Sequence, residues 1–251
     1  MLKRRIIPIE LLSGGRLVKT RGFAEPRDVG DPVNSSKVYS DQDADELLLL
    51  QIDRGACRVA TLVEAVARIA EHCFVPLTAG GGISSIEDAA RLFAAGADKV
   101  MVNTLAYRDP AVLTAISSRF GRQALVVGID VRVVQDQFGL YSDCGRRREA
   151  VSLEEHISAA VTAGAGELMV QSIDRDGLME GYDLGLVRRV VAASPVPVIA
   201  AAGAGHFLHL KEAFEAGADA AACGSLFNFG DNNPLRAKAF LKNHGIPLKR
   251  I

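Results

Sequence analysis

The chain has 251 residues, 24 of them glycine and only 6% aromatic, with a formal net charge of −1. Charge so close to neutral leaves no bulk electrostatic reason to expect nucleic acid or an anionic membrane as partner. A chain of this size buries roughly 75% of its unfolded surface without staples. Its four cysteines (Cys57, Cys73, Cys144 and Cys223) show no C-x-x-C pair and no zinc spacing, which argues against disulfides or metal and suits a reducing cytoplasm.

The first apolar run is RRIIPIELL (4–12), closing in a glycine turn. Its basic start resembles a secretory leader, but Glu10 breaks it after four residues and no small-residue cleavage site follows. GGRLVKTRGFAEPRDVG (14–30) reads as a loop long enough to form a lid. Lys19 within it is either a working group or a solvated lysine. DQDADE (41–46) reads as a solvated helix end without the glycine of a calcium loop. Further runs follow at 46–53, 75–80, 98–103, 124–130, 167–174, 196–201 and 219–224, separated by amphipathic stretches such as TLVEAVARIAEHC, SIEDAARLFAAG and SLEEHISAAVTAG. Runs that are apolar throughout, rather than alternating, predict a parallel sheet covered by helices. VVAASPVPVIAAAGAG carries two prolines and is no membrane span.

Eight such pairs fit either a (β/α)8 barrel or a doubly wound sheet. An internal repeat decides. VPLTAGGGI…FAAGADKVMVNTL matches VPVIAAAGA…FEAGADAAACGSL, with Pro76 and Pro197, Gly82 and Gly203, and Gly96 and Gly217 each 121 residues apart (197 − 76, 217 − 96). The same offset pairs Glu46 with Glu167 and Asp53-Arg54 with Asp174-Arg175. A repeat of four βα units predicts one TIM barrel made of half-barrels, about 1–121 and 122–251.

The C-terminal strand ends of such a barrel carry the chemistry. Two glycine-rich groups there read as phosphate cradles. One joins Gly82 to Asn103-Thr104; the other joins Asp176-Gly177, Gly203 and Gly224-Ser225, with Ser225 opening a helical turn. The plainer alternative is that these glycines only make tight turns. Two equivalent cradles predict a long ligand with a phosphate at each end. Between them Asp130 stands as acid, base or orienting group, with Asp174 and Asp176 nearby. His206 and His209 suggest surface positions rather than a metal site. Arg146, Arg147 and Arg148 follow a predicted hairpin (131–145) and face an anion, a partner or solvent.

RRII, GGRLVK, GDPV, ADEL, PLTAGGGI, GADKV, VNT, DRDG, GYDL, GSLF and GIP together resemble the cyclase subunit of imidazole glycerol phosphate synthase, nearly end to end. The resemblance implies phosphate sites at Gly82, Asn103, Thr104, Asp176, Gly177, Gly203 and Ser225, a catalytic Asp130 and a mobile Lys19. It implies no cofactor. The family's other catalytic aspartate falls on Leu11, and an aspartate usual on the second strand falls on Gln51. Glu10 is an unsuitable substitute, because neighbouring strand residues face opposite ways. The resemblance also implies a glutaminase partner, with Asp98 on the facing surface and a charged gate of Arg5, Glu46, Lys99 and Glu167 admitting ammonia. Charge at strand starts is otherwise structural. A branch of the family associated with N-acetyl sugar amidination in surface-polysaccharide synthesis shares the leucines and the C-terminal pattern, and implies an ATP-dependent sugar amidotransferase as a third component. A working cyclase of histidine biosynthesis is the alternative. A scaffold that only binds a phosphate ligand and activates the glutaminase is another, and apolar side chains such as Met101 blocking the axis would favour it.

Overall fold

The computed structural model describes residues 3–53 and 59–248, so Arg54 and Cys57 lie outside the described residues. The chain begins with β1 (Arg5–Ser13), β2 (Arg16–Arg21), β3 (Ala24–Gly30), α1 (Pro32–Asp41), β4 (Leu47–Gln51), α2 (Val59–Ala70), β5 (Leu77–Gly80), α3 (Ile86–Ala94), β6 (Lys99–Val102), α4 (Thr104–Arg108) and α5 (Pro110–Phe120). It continues with β7 (Leu125–Val134), β8 (Gln137–Ser142), β9 (Arg147–Glu149), α6 (Leu153–Thr162), β10 (Glu167–Ser172), α7 (Leu184–Ala193), β11 (Val198–Ala201), α8 (Phe207–Glu215), β12 (Ala220–Cys223), α9 (Ser225–Asn228) and α10 (Pro234–Asn243). β1, β4, β5, β6, β7, β10, β11 and β12 pair in parallel in that order, and β12 returns to β1. The sheet closes as a (β/α)8 barrel, which removes the doubly wound alternative.

Local sequence explains the helices that separate the strands. Ser85 caps α3 by accepting from the Asp88 amide, and Glu87 and Asp88 complement the positive helix end. Ser152 and Glu155 form a capping box on α6. Asp31, Asp109 and Asn233 each cap a helix that has proline in its first turn. The apolar faces so directed build a continuous layer between sheet and helices, with Leu47, Leu49, Leu62, Ile69 and Leu92 at its centre.

A second apolar cluster fills the barrel itself. Ile7, Ile9, Leu48, Leu50, Met101, Val126, Met169 and Ile199 pack there. Period-two alternation divides the two layers: Ile6 and Leu12 face the helices, while Ile7, Ile9 and Leu11 face the axis.

Two expectations need correction. Residues 14–30 form no open loop: β2 and β3 make an antiparallel hairpin that extends β1. Its stability follows from backbone pairing and from Leu17 and Val18, both buried. DQDADE is no solvated helix end either. Asp45 accepts from the Ile6 amide at 2.8 Å and pairs with Lys238 at 2.8 Å, and both ionised groups are almost fully buried. Among the described residues no helix is long and apolar enough to cross a membrane.

Candidate active site

A cavity of about 750 Å³ opens at the C-terminal ends of the barrel strands. Its lining gathers Leu11, Lys19, Gln51, Gly82, Asn103, Thr104, Asp130, Asp176, Gly177, Gly203, Gly224 and Ser225. These come from nine separate stretches of sequence. Asp174 is not in the lining: a 3-10 turn over Ile173–Arg175 aims it at the antiparallel β7–β8 hairpin, where it accepts from the Val133 amide at 2.8 Å and pairs with Arg132 at 3.4 Å. Arg146, Arg147 and Arg148 also lie outside the lining, the last two on β9. The Nδ1 atoms of His206 and His209 accept backbone amides of Leu208 and Gly205, so both rings serve local turns.

The two glycine-rich groups share an unusual backbone. Asn103 precedes α4 with φ −122° and ψ −72°, and Gly224 precedes α9 with φ −110° and ψ −69°. Neither helix start has a side-chain cap, so the first amides of both turns face the mouth uncapped. The Asn103 amide group donates to the carbonyls of Gly128 and Tyr141. Two of these glycines serve different purposes. At Gly177, φ is +71° and a Cβ would meet the Thr20 carbonyl at 2.1 Å. Gly224 has an ordinary φ, but a Cβ there would lie 2.6 Å from the Lys19 amine. Sequence reading assigns Gly224 to ligand approach; the structure shows that its missing side chain also leaves room for Lys19.

Lys19 is buried on β2 and its Nζ donates to the Ile9 carbonyl at 2.6 Å. Asp176 accepts from Thr20 Oγ1 at 2.7 Å and from the Phe23 amide at 3.1 Å. The Gly22 amide donates to the Asp176 carbonyl. Asp176 therefore ties the hairpin down over the mouth and offers a phosphate no donor of its own. Burial raises its carboxyl above the usual range, against the pull of these donors and of Lys19.

Asp130 is 5% exposed and accepts from Gln171 Nε2 at 2.9 Å. Burial pushes its carboxyl up to about 7, with the Gln171 bond opposing and the Asp176 charge reinforcing the shift. A carboxyl poised near neutrality can hold or accept a proton at working pH. Gln171 was not singled out from sequence. The period of two through Glu167, Met169 and Gln171 was the available signal, since it puts all three on the inner face.

Leu11 pairs with Leu50 on one side and Val18 on the other, and its side chain lines the cavity. Glu10 points the opposite way. It accepts from Ser36 Oγ of α1 at 2.5 Å, 2% exposed behind the sheet. Gln51 Nε2 donates to Asp53 at 3.1 Å, and Asp53 also receives the Ser13 hydroxyl.

At the other end of the axis, Arg5 reaches Glu46 at 2.9 Å and Glu167 at 3.1 Å, and Lys99 reaches Glu46 at 3.0 Å and Glu167 at 3.1 Å. The four side chains close a ring across the strand starts. Thr78 adds a hydroxyl bond to Glu46 at 2.6 Å. Burial works against the Arg5 cation, yet Glu167 and Glu46 together raise its pKa. Asp98 spends one carboxylate oxygen on the Leu77 amide beside this ring. None of the four ring residues lines the mouth cavity, whose floor includes Ile9, Leu50 and Met101. The apolar cluster lies between the two.

The chain matches the profile of the family described as "Histidine biosynthesis protein" over residues 5–233. It is similar to the imidazole glycerol phosphate synthase subunit HisF of Hyphomonas neptunium, 42% identical across the whole of both chains. It is 41% identical to that of Chloroherpeton thalassium, covering 99% of this chain and 100% of the relative. The subunit from a Thermotoga species is 40% identical, covering 99% and 98%. The chain belongs to the histidine biosynthesis protein family.

Proposed function

We propose that this chain is the ammonia-receiving barrel of a complex of the imidazole glycerol phosphate synthase type, paired with a glutaminase at its strand starts. It holds a ligand with a phosphate at each end across its mouth, and its own ring-closing chemistry is weakened. One observation carries the last point. The side chain at the first strand end that lines the cavity is Leu11, while the neighbouring carboxylate of Glu10 is bonded to Ser36 on the far side of the strand. A leucine neither moves a proton nor stabilises a developing cation.

The two uncapped helix starts support the bis-phosphate ligand, with Gly82 beside one and Gly203 beside the other. The names of the relatives support the glutaminase partnership, since they are subunits of a synthase, and the charged ring and Asp98 supply a polar face for it. Asp130, oriented by Gln171, is the group we assign to proton transfer.

The same names and the family description favour histidine biosynthesis as the setting, with a bis-phosphorylated formimino-ribulosyl compound plus ammonia yielding imidazole glycerol phosphate and releasing the aminoimidazole carboxamide ribotide, AICAR. A second reading rests on Leu11 and Gln51: ammonia is passed on for sugar amidination, and a separate ATP-dependent amidotransferase forms the new carbon–nitrogen bond. The filled axis favours a scaffold as the resting state. Ammonia crosses such an apolar layer only when the unbranched Met101 chain swings aside.

The test is turnover of the bis-phosphorylated formimino-ribulosyl substrate with saturating ammonium salt, for the wild type and for Leu11→Asp. We expect the variant to exceed the wild type by at least 100-fold, the scale of a single positioned acid–base group. Wild-type turnover equal to the variant's sinks the weakened-cyclase reading and leaves the histidine pathway alone. Silence from both points to a different ligand and to the sugar or scaffold readings.

A further inference from the structure

We propose that Glu10 is a positioning residue for Lys19: sealed behind the first strand, its carboxylate holds the lysine amine charged and in place beside the Gly224–Ser225 turn. The inference rests on the reading of that turn as a phosphate cradle.

The geometry begins with strand register. Leu11 faces Val18 across the antiparallel β1–β2 pair, so Glu10 faces Lys19, and side chains directly opposite lie on the same side of a sheet. Both are deeply buried, at 2% and 7% exposure. Glu10 Oε2 accepts from Ser36, but Oε1 is buried without a hydrogen-bond partner. An unmatched carboxylate oxygen in the interior is costly unless a nearby charge offsets it. Lys19 is the cation acting on it.

The lysine needs Glu10 equally. Its amine donates to the Ile9 carbonyl and lies over Gly224, deep enough that desolvation lowers its pKa. Glu10 is the largest influence opposing that loss of charge, followed by Cys223 of β12 and Asp176 after β10. Asp31, which caps α1, and Tyr39 of α1 also interact electrostatically with Glu10, and Asp31 raises its pKa. Arg27 of β3 is Lys19's other cross-strand neighbour, and it is exposed to solvent. Without Glu10 the buried amine loses its main counter-charge, and a neutral amine offers a phosphate dianion no Coulomb attraction.

The experiment follows the Lys19 side chain directly by NMR, using 13C-labelled lysine, through a pH titration with and without inorganic phosphate. Glu10→Gln keeps an acceptor for Ser36 and removes a buried charge, so the fold survives it. Its Lys19 midpoint is expected about one pH unit below wild type, while Glu10→Asp, which keeps the charge, stays closer to wild type. Added phosphate is expected to raise the wild-type midpoint. Identical midpoints in wild type and Glu10→Gln would overturn the proposal. A shifted Glu10→Gln midpoint with no response to phosphate in the wild type upholds the Glu10–Lys19 link and removes the phosphate reading of that cradle.

Discussion

The two ends of the barrel axis use charge in opposite ways. At the strand starts, Arg5, Lys99, Glu46 and Glu167 satisfy one another in a closed ring. At the strand ends, Asp130 and Asp176 sit in a cavity with neutral partners, and burial raises both carboxyls. Paired charge is held charge. Charge kept from pairing is available to a ligand, which is why perturbed carboxyls gather where chemistry is done. The two ends differ in composition as well: the ring pairs all four of its charged side chains, while the first strand end presents the apolar Leu11 to the mouth.

The sharpest way to break the contrast is Glu46→Ala. It leaves Arg5 and Lys99 sharing Glu167 alone, with Glu46 itself 2% exposed in the native ring. We expect about 3 kcal/mol of lost stability in urea unfolding, the usual cost of stripping a partner from a buried pair. A loss under about 1 kcal/mol would mean that water screens the ring and that its closure is of little energetic account.

The opposite end responds to pH. Asp130 is protonated in the fold up to about 7, whereas an unfolded aspartate ionises near 3.9. The native state therefore binds the extra proton between those values, and stability falls as pH rises through that window. Asp130→Asn still accepts from Gln171 and never ionises. Its stability relative to wild type should rise by on the order of 2 kcal/mol between pH 4.5 and 7.5, read by unfolding at each pH. Glu10 slopes the same way in both proteins and cancels in the difference, while the coupling between Asp176 and Asp130 is part of what the difference reads. A flat difference would place Asp130 in an ionised, solvated setting.

Much of this contrast is legible in the sequence. Unbroken apolar runs and the 121-residue offset indicate a barrel, and glycine-rich strand ends mark the mouth. The period of two correctly turns Glu10 outward. What failed has a physical cause in each case. The hairpin over residues 16–30 looks like a loop because its glycines, proline and charges mask the backbone pairing that makes it. Asp45 looks solvated because its partner, Lys238, is almost two hundred residues away. Gln171 is visible only as an inner-face position; its bond to Asp130 depends on β10 and β7 lying side by side with Gln171 level with Asp130.

The smallest expected effect tests what separates the two ends. Met101 packs in the barrel interior between ring and cavity, its tip lying at Gly128 on the neighbouring β7, and two glycines make room for it. A Cβ at Gly128 would lie 2.4 Å from the Met101 terminal methyl, the far end of a flexible chain. A Cβ at Gly80 would meet the Met101 carbonyl at 2.8 Å and Leu50 Cδ2 at 2.9 Å, one of them backbone. Alanine also removes some unfolded-state freedom, worth ~0.4–1 kcal/mol in the protein's favour. At Gly128 that gain offsets the displacement of a pliable methionine, so Gly128→Ala should stay within about 0.5 kcal/mol of wild type. Gly80→Ala should cost about 2 kcal/mol, since a carbonyl fixed in the β5–β6 ladder has nowhere to go. Equal costs at both sites, measured by urea unfolding, would show that the methionine tip is as fixed as the backbone, and an axis held that rigidly would transmit nothing from the charged ring to the mouth.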